Sequence, residues 1–218
     1  MTHTIRLRPV VESDLAQLSR IMFDTWYASD AQYADQQTCD RLYFMACFDT
    51  AHYLETSTHA LVAEEVAESV ILGVSMWRND ADIQRYATSQ KAIAQKELDR
   101  AYTFAAQDSH FAAMLEDFLA DAQRTIDLEK PAAKVSQAEL RLFMMDAKAR
   151  GKGVGKRLLA AAEGSMRESG ASQYYLYTDS TCDYGFYDYR GMERVAEQHR
   201  VPGPGGSIVD KYIYVGQL

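Results

Sequence analysis

Between Arg150 and Lys156 the chain reads Arg-Gly-Lys-Gly-Val-Gly-Lys. Alternating glycines interrupt any regular element, and the flanks decide what the interruption is for. Upstream, Leu140-Arg141-Leu142-Phe143-Met144-Met145 is an apolar run of strand length. Downstream, Val154, Leu158, Ala161, Ala162 and Met166 recur on one helical face. A strand, a glycine turn and a helix start together make an anion site. The first N–H groups of a helix have no internal acceptor, and the macrodipole places partial positive charge there. Glycine lets a ligand reach the backbone with no Cβ in the way. Arg150, Lys152 and Lys156 add full charges, so a diphosphate suits this turn.

Two common diphosphate motifs do not fit. The Walker pattern needs four residues between its glycines and Ser or Thr after the lysine. Here Gly151 and Gly155 are three residues apart, and Arg157 follows Lys156. The dinucleotide pattern G-x-G-x-x-G fails against Gly151-x-Gly153-x-Gly155. The pattern [QR]-x-x-G-x-[GA] does fit, as Arg150-Gly151-Lys152-Gly153-Val154-Gly155. In this the chain resembles the GNAT superfamily of acyl-CoA-dependent N-acyltransferases, where that turn holds the coenzyme A pyrophosphate. A second stretch, Phe186-Tyr187-x-x-x-Gly191-Met192, is similar to the family's second signature, with Met192 in place of the usual Phe.

The order of elements agrees with that resemblance. Thr4 to Arg8 alternates as a first strand ended by Pro9. Ser13 or Asp14 can cap a helix carrying Leu15, Leu18, Met22 and Trp26 on one face. A second helical stretch runs from Cys39 to Phe48, and His59–Glu64 and Val70–Trp77 read as paired strands. From about 81 to 137 Ala, Gln, Lys, Glu and Leu dominate. We expect two or three helices there, closed by Pro131, inserted between the third and fourth strands as a lid, an oligomer interface or a buttress. Gln173–Thr178 reads as a fifth strand, Tyr184–Tyr189 as a short helix, and the chain ends in a hairpin across residues 202–206. The expectation is one α/β (α+β) domain over residues 1–218. The resemblance implies the GNAT fold, a central mixed, mostly antiparallel sheet of six to seven strands flanked by helices.

The resemblance also implies roles. A bulged fourth strand splays from the fifth, and the backbone N–H groups of Phe143, Met144 and Met145 would hold pantetheine and the acyl carbonyl. Arg150, Gly151, Lys152, Gly153, Val154, Gly155 and Lys156 would bind pyrophosphate. Ser180, where the family often has Asn, would bond pantetheine. Tyr187 would protonate the departing thiolate. An alkylammonium, with a pKa of about 10, must lose a proton before it attacks. Glu139, eleven residues before Arg150, is one candidate base, on a face shared with Arg141, Phe143 and Met145 under strict alternation. Asp179 is another. Asp24, Trp26, Tyr27 and Trp77 are candidate acceptor liners, with Trp26 on an apolar helix face.

Composition limits the partners. The net charge of −8 argues against nucleic acid and leaves room for a cationic acceptor. No apolar run approaches a membrane span, and the start of the chain lacks a signal-peptide core. Three widely spaced cysteines suggest free thiols in the cytoplasm. Cys182, near the proposed site, reads as a buried thiol. The five histidines are scattered, with no metal or triad pattern. The expectation is an acetyl-CoA-dependent N-acetyltransferase for a primary amine of a small molecule or peptide, without metal, with a homodimer left open. The alternatives are another acyl donor or acceptor on the same fold, and a CoA-binding sensor or interaction protein.

Overall fold

The computed structural model describes residues 4–203 and 207–218. In chain order come β1 (Ile5–Pro9), α1 (Leu15–Met22), a π-helical turn (Phe23–Tyr27), α2 (Ala28–Ala31) and α3 (Gln36–Glu55). Then follow β2 (His59–Glu65), β3 (Val70–Asn79), α4 (Ile83–Ala105), α5 (Ser109–Ala133) and β4 (Ala138–Met145). The chain closes with α6 (Val154–Glu168), β5 (Gln173–Asp179), α7 (Gly185–Tyr189), β6 (Glu193–Pro202) and β7 (Ile208–Gln217). The strands form one sheet in the order β1-β2-β3-β4-β5-β7-β6. All neighbours are antiparallel except β4 and β5, which run parallel. Residues 204–206 of the expected terminal turn, and His3, lie outside the described residues.

Both faces of the central strands are covered. On one, Leu18 and Met22 of α1, Phe48 and Leu54 of α3, and Phe111 and Leu115 of α5 pack with Val62, Met76, Leu142 and Met144. On the other, Leu159, Ala162 and Met166 of α6 pack on Trp77, Leu140 and Tyr174. Each large apolar side chain so buried contributes about 1.5–3 kcal/mol.

The 81–137 stretch is two long helices, and it is locked to the rest of the fold. The rings of Phe44, Phe104 and Phe111 cluster at 4.8–5.6 Å. Arg41 of α3 grips Asp108, which also caps α5, through bonds of 2.8–3.0 Å. Lys211 of β7, 1% exposed, bonds Asp121 of α5 at 2.7 Å. These contacts fix the pair against the fold, with the end of α5 laid over β5 and β7. Pro131 does not close the stretch. It lies inside the last turn of α5, and the helix runs on to Ala133 before it ends.

A bulge in β4 re-aims its side chains. The register passes from Met76↔Leu142 to Trp77↔Leu140, leaving Arg141 as an extra residue. Phe143 and Met145 therefore turn to the α6 face, beside Val154 and Leu158. Glu139 and Arg141 lie on the opposite face, with Arg141 over the Tyr53 ring of α3 at 6.0 Å. Strict alternation, which put all four residues together, fails at this one inserted residue. Below the bulge β4 and β5 pair only at Glu139↔Tyr175 and Leu140↔Leu176, and then separate.

Candidate active site

The glycine turn has the predicted anion-binding geometry. Gly151 and Gly153 adopt φ of +75° and +68°, which favour glycine, and Gly153 caps α6 in the left-handed region. The N–H groups of Gly151, Gly153, Val154, Gly155 and Lys156 have no backbone acceptor among the described residues. A cleft of about 370 Å³ opens onto them, lined by Met145, Asp146, Ala149, Arg150 and the turn itself. Arg150 and Lys156 are exposed beside it. Lys152 instead reaches back to Glu65 of β2 at 3.2 Å. Five orphaned donors at a helix N-terminus, with two exposed cations, fit a diphosphate.

The splayed strand supplies further donors. Asp146 N donates to Leu72 O at 3.0 Å, so alternation points the Met144 N–H at β3 as well. The N–H groups of Phe143 and Met145 face the gap beside β5. Of the three strand residues expected to hold pantetheine, two aim that way, while the Met144 side chain is core. Ser180 is also committed elsewhere: its Oγ accepts from Asp210 N at 3.0 Å, tying the end of β5 to β7.

Tyr187 lies on α7, which is anchored beside the gap by Phe186 stacking on Phe143 at 6.4 Å. Gly191, at φ +71°, turns the chain out of α7. Tyr187 is half-buried. Burial first, then the neighbouring Cys182 and Asp183, raise its hydroxyl well above the ordinary range. The raised hydroxyl stays protonated through the neutral range, as a hydrogen-bond donor to a departing sulfur must.

The two expected bases are both engaged. Glu139 is 3% exposed. Its Oε1 accepts from Arg141 at 2.6 Å, and its Oε2 accepts from Tyr175 at 3.0 Å and faces Arg78 at 3.3 Å. Asp179 accepts from Tyr177 at 3.0 Å through one oxygen, and from the Thr181 N–H and hydroxyl through the other. These bonds suit positioning more than proton transfer. Glu129 of α5 joins the Glu139 cluster, its carboxyl raised by burial and then by the charge of Glu139.

The four expected liners divide evenly. Asp24 faces solvent, paired with Arg20 at 3.0 Å one turn away. Trp77 is 2% exposed in the core under α6, stacked on His59 at 5.2 Å. Neither lines an acceptor pocket. Trp26 reaches Cys182, whose thiol is raised by burial, and Tyr27 donates to Asp49 Oδ2 at 3.0 Å. Asp49 and Tyr53, which no motif or spacing marks, neighbour Tyr27 from α3. Tyr53 is raised by burial and senses Asp49, Arg141, Cys182 and Glu129 together. Tyr27, Tyr53, Cys182 and Tyr187 are each half-buried, and burial is the largest cause raising all four. The available signal was an acid at Asp49 among the helix's buried positions Leu42, Met45, Ala46 and Phe48.

Among the described residues no helix is long and apolar enough to cross a membrane, and no three His, Cys, Asp or Glu side chains group to hold a metal. No curated protein matches the sequence. Solved structures share the fold. One is SsHAT, 20% identical over 98% of each chain, with a TM-score of 0.60. Another is an N-acetyltransferase from Staphylococcus aureus Mu50, 16% identical over 98% of each chain, with a TM-score of 0.53. A third is a mosquito arylalkylamine N-acetyltransferase like 5b, 16% identical over 99% of this chain and 100% of that one, with a TM-score of 0.52. The model of the acetyltransferase (GNAT) family matches residues 74–192, from mid-β3 through both glycine signatures. With more than half its length so matched, the chain belongs to the GNAT family of acetyltransferases, which transfer an acyl group from coenzyme A to an acceptor.

Proposed function

We propose that this protein is an N-acetyltransferase that moves the acetyl group of acetyl-CoA to a primary amine of a small molecule or peptide, by direct attack. The observation that carries this is the alignment of three elements along one gap. The orphaned N–H groups of Gly151–Lys156 stand at its outer end. The outward N–H groups of Phe143 and Met145 follow along β4, and Tyr187 is the chain neighbour of Phe186, whose ring stacks on Phe143.

Bound acetyl-CoA would supply the activated acyl group, and the chain's own groups would do the rest. The turn's donors and the cations Arg150 and Lys156 hold diphosphate. The N–H groups of Phe143 and Met145 orient the pantetheine arm and polarise the acyl carbonyl. Tyr187 gives its proton to the leaving sulfur. No covalent intermediate on the enzyme is needed. The aromatic wall of Trp26, Tyr27 and Tyr53, with Asp49 behind it, favours a cationic acceptor.

The test is calorimetric titration with acetyl-CoA and with CoA, followed by thiol release across primary amines. Tight binding with amine-dependent release is the expected result. Binding of neither ligand overturns the donor assignment.

A further inference from the structure

Behind Tyr27 one carboxylate is only half bonded. Asp49 sits on the buried face of α3, 8% exposed. Its Oδ2 is held by the Tyr27 hydroxyl at 3.0 Å, while its Oδ1 is buried with no hydrogen-bond partner. An orphaned carboxylate oxygen is expensive unless a ligand or proton completes it. The neighbouring acids are placed differently: Glu139 is bonded by Arg141, Arg78 and Tyr175, Asp179 by Tyr177 and Thr181, and Glu129 is a second raised carboxyl, held beside Glu139 rather than beside Tyr27.

We infer that Asp49 is the group that receives the acceptor's ammonium and takes its proton, directly or through one bridging water. This rests on the reading of the protein as an N-acetyltransferase. The proton balance closes. One proton of R–NH₃⁺ passes to Asp49, and the freed lone pair forms the C–N bond to the acyl carbon. The C–S bond breaks, and the thiolate takes the Tyr187 proton. Tyr187 recovers a proton from the new amide nitrogen, and Asp49 releases its own to solvent.

The surroundings suit a base. Burial pushes the Asp49 carboxyl up to about 7, and the Tyr27 hydroxyl, donating to it, holds it lower than burial alone would. A base poised there is half-ionised at neutral pH. The other groups around it are few. Tyr27 and Tyr53 face it directly, both kept protonated by burial. Asp30 of α2 reaches it only through Tyr27. Arg141 of β4, Glu129 of α5 and Cys182 after β5 act on Tyr53. His52, on the same helix, is brought down to about 4 by burial and is neutral in this range.

Two measurements separate this inference from the reading beneath it. The first needs no substrate: melting of wild type and Asp49→Asn at pH 5 and pH 8. A carboxyl raised from 3.8 in the unfolded chain to about 7 in the fold destabilises the fold increasingly as pH rises between those values. The Tm of Asp49→Asn relative to wild type should therefore be higher at pH 8 than at pH 5. An unchanged gap overturns the inference.

The second is kinetic, on butylamine, phenethylamine, spermidine and a tetrapeptide with a free N-terminus. Asp49→Asn should lower kcat/KM roughly 10²–10⁴-fold and abolish the acid limb near pH 7, with CoA affinity unchanged. Tyr27→Phe should move that limb to higher pH, because the hydroxyl that lowers the carboxyl is gone. Retained kcat/KM in Asp49→Asn, or an unmoved limb in Tyr27→Phe, overturns the inference. A wild type that binds acetyl-CoA but releases thiol with no amine overturns the N-acetyltransferase reading, and this inference with it, whatever the melting curves show.

Discussion

On the proposed donor side of the gap the groups are backbone N–H donors, five of them crowded into Gly151–Lys156. On the proposed acceptor side they are side chains gathered from distant segments: Trp26 and Tyr27, Asp49 and Tyr53, Arg141, Cys182 and Tyr187. The first arrangement needs only local conformational freedom, so residue spacing announces it. The second exists only after the sheet, α3 and the π-helical turn have assembled. A donor shared by a whole family can be held by a backbone device, whereas an acceptor particular to one protein is met by side chains free to vary.

This contrast can be broken first at Gly153. A β-branched residue at φ +68° is strained whatever space surrounds it. Gly153→Val should lower CoA affinity by roughly 100-fold or more in calorimetric titration. Normal affinity would mean that the turn does not hold the donor.

The next effect is on stability. Glu139→Gln leaves Arg141 and Arg78 without their shared carboxylate. Denaturant unfolding should show a loss of about 3 kcal/mol. Turnover in the surviving folded enzyme should change less than stability does. Unchanged stability with collapsed turnover would restore Glu139 as the base that the family resemblance suggested.

The smallest effect sharpens the donor side. A Cβ on Gly155 would meet Phe143 Cζ at 3.5 Å and Met145 Sδ at 3.9 Å, ordinary contacts without backbone strain. Gly155→Ala should leave CoA affinity within about threefold. A large loss would show that the ligand approaches the backbone there more closely than at Gly153.

Most of the fold was legible because its signals are local. The apolar strand runs, the glycine turn and the Tyr187–Gly191 spacing all had the positions expected of them. What was lost depended on long-range register. The extra residue at Arg141 reversed Glu139 relative to Phe143, and no pattern within β4 marks it. Asp24 and Tyr27 share one π-helical turn, yet the first faces solvent and the second bonds Asp49 across to α3. Trp77 was drawn into the core because α6 covers β3 from the side opposite α3. Asp49 was overlooked because an acid between Phe48 and Thr50 looks like a helix's solvent face until the helix is seen buried.

In the proposed reaction backbone holds the donor at one end of the gap and Tyr187 protonates the thiolate at the other. The most direct measurement compares Tyr187→Phe with wild type in both CoA affinity and turnover. We expect affinity to stay within about twofold while turnover falls roughly 10²-fold or more. Equal losses in both would make Tyr187 a packing residue, and an unchanged turnover would remove it from the chemistry altogether.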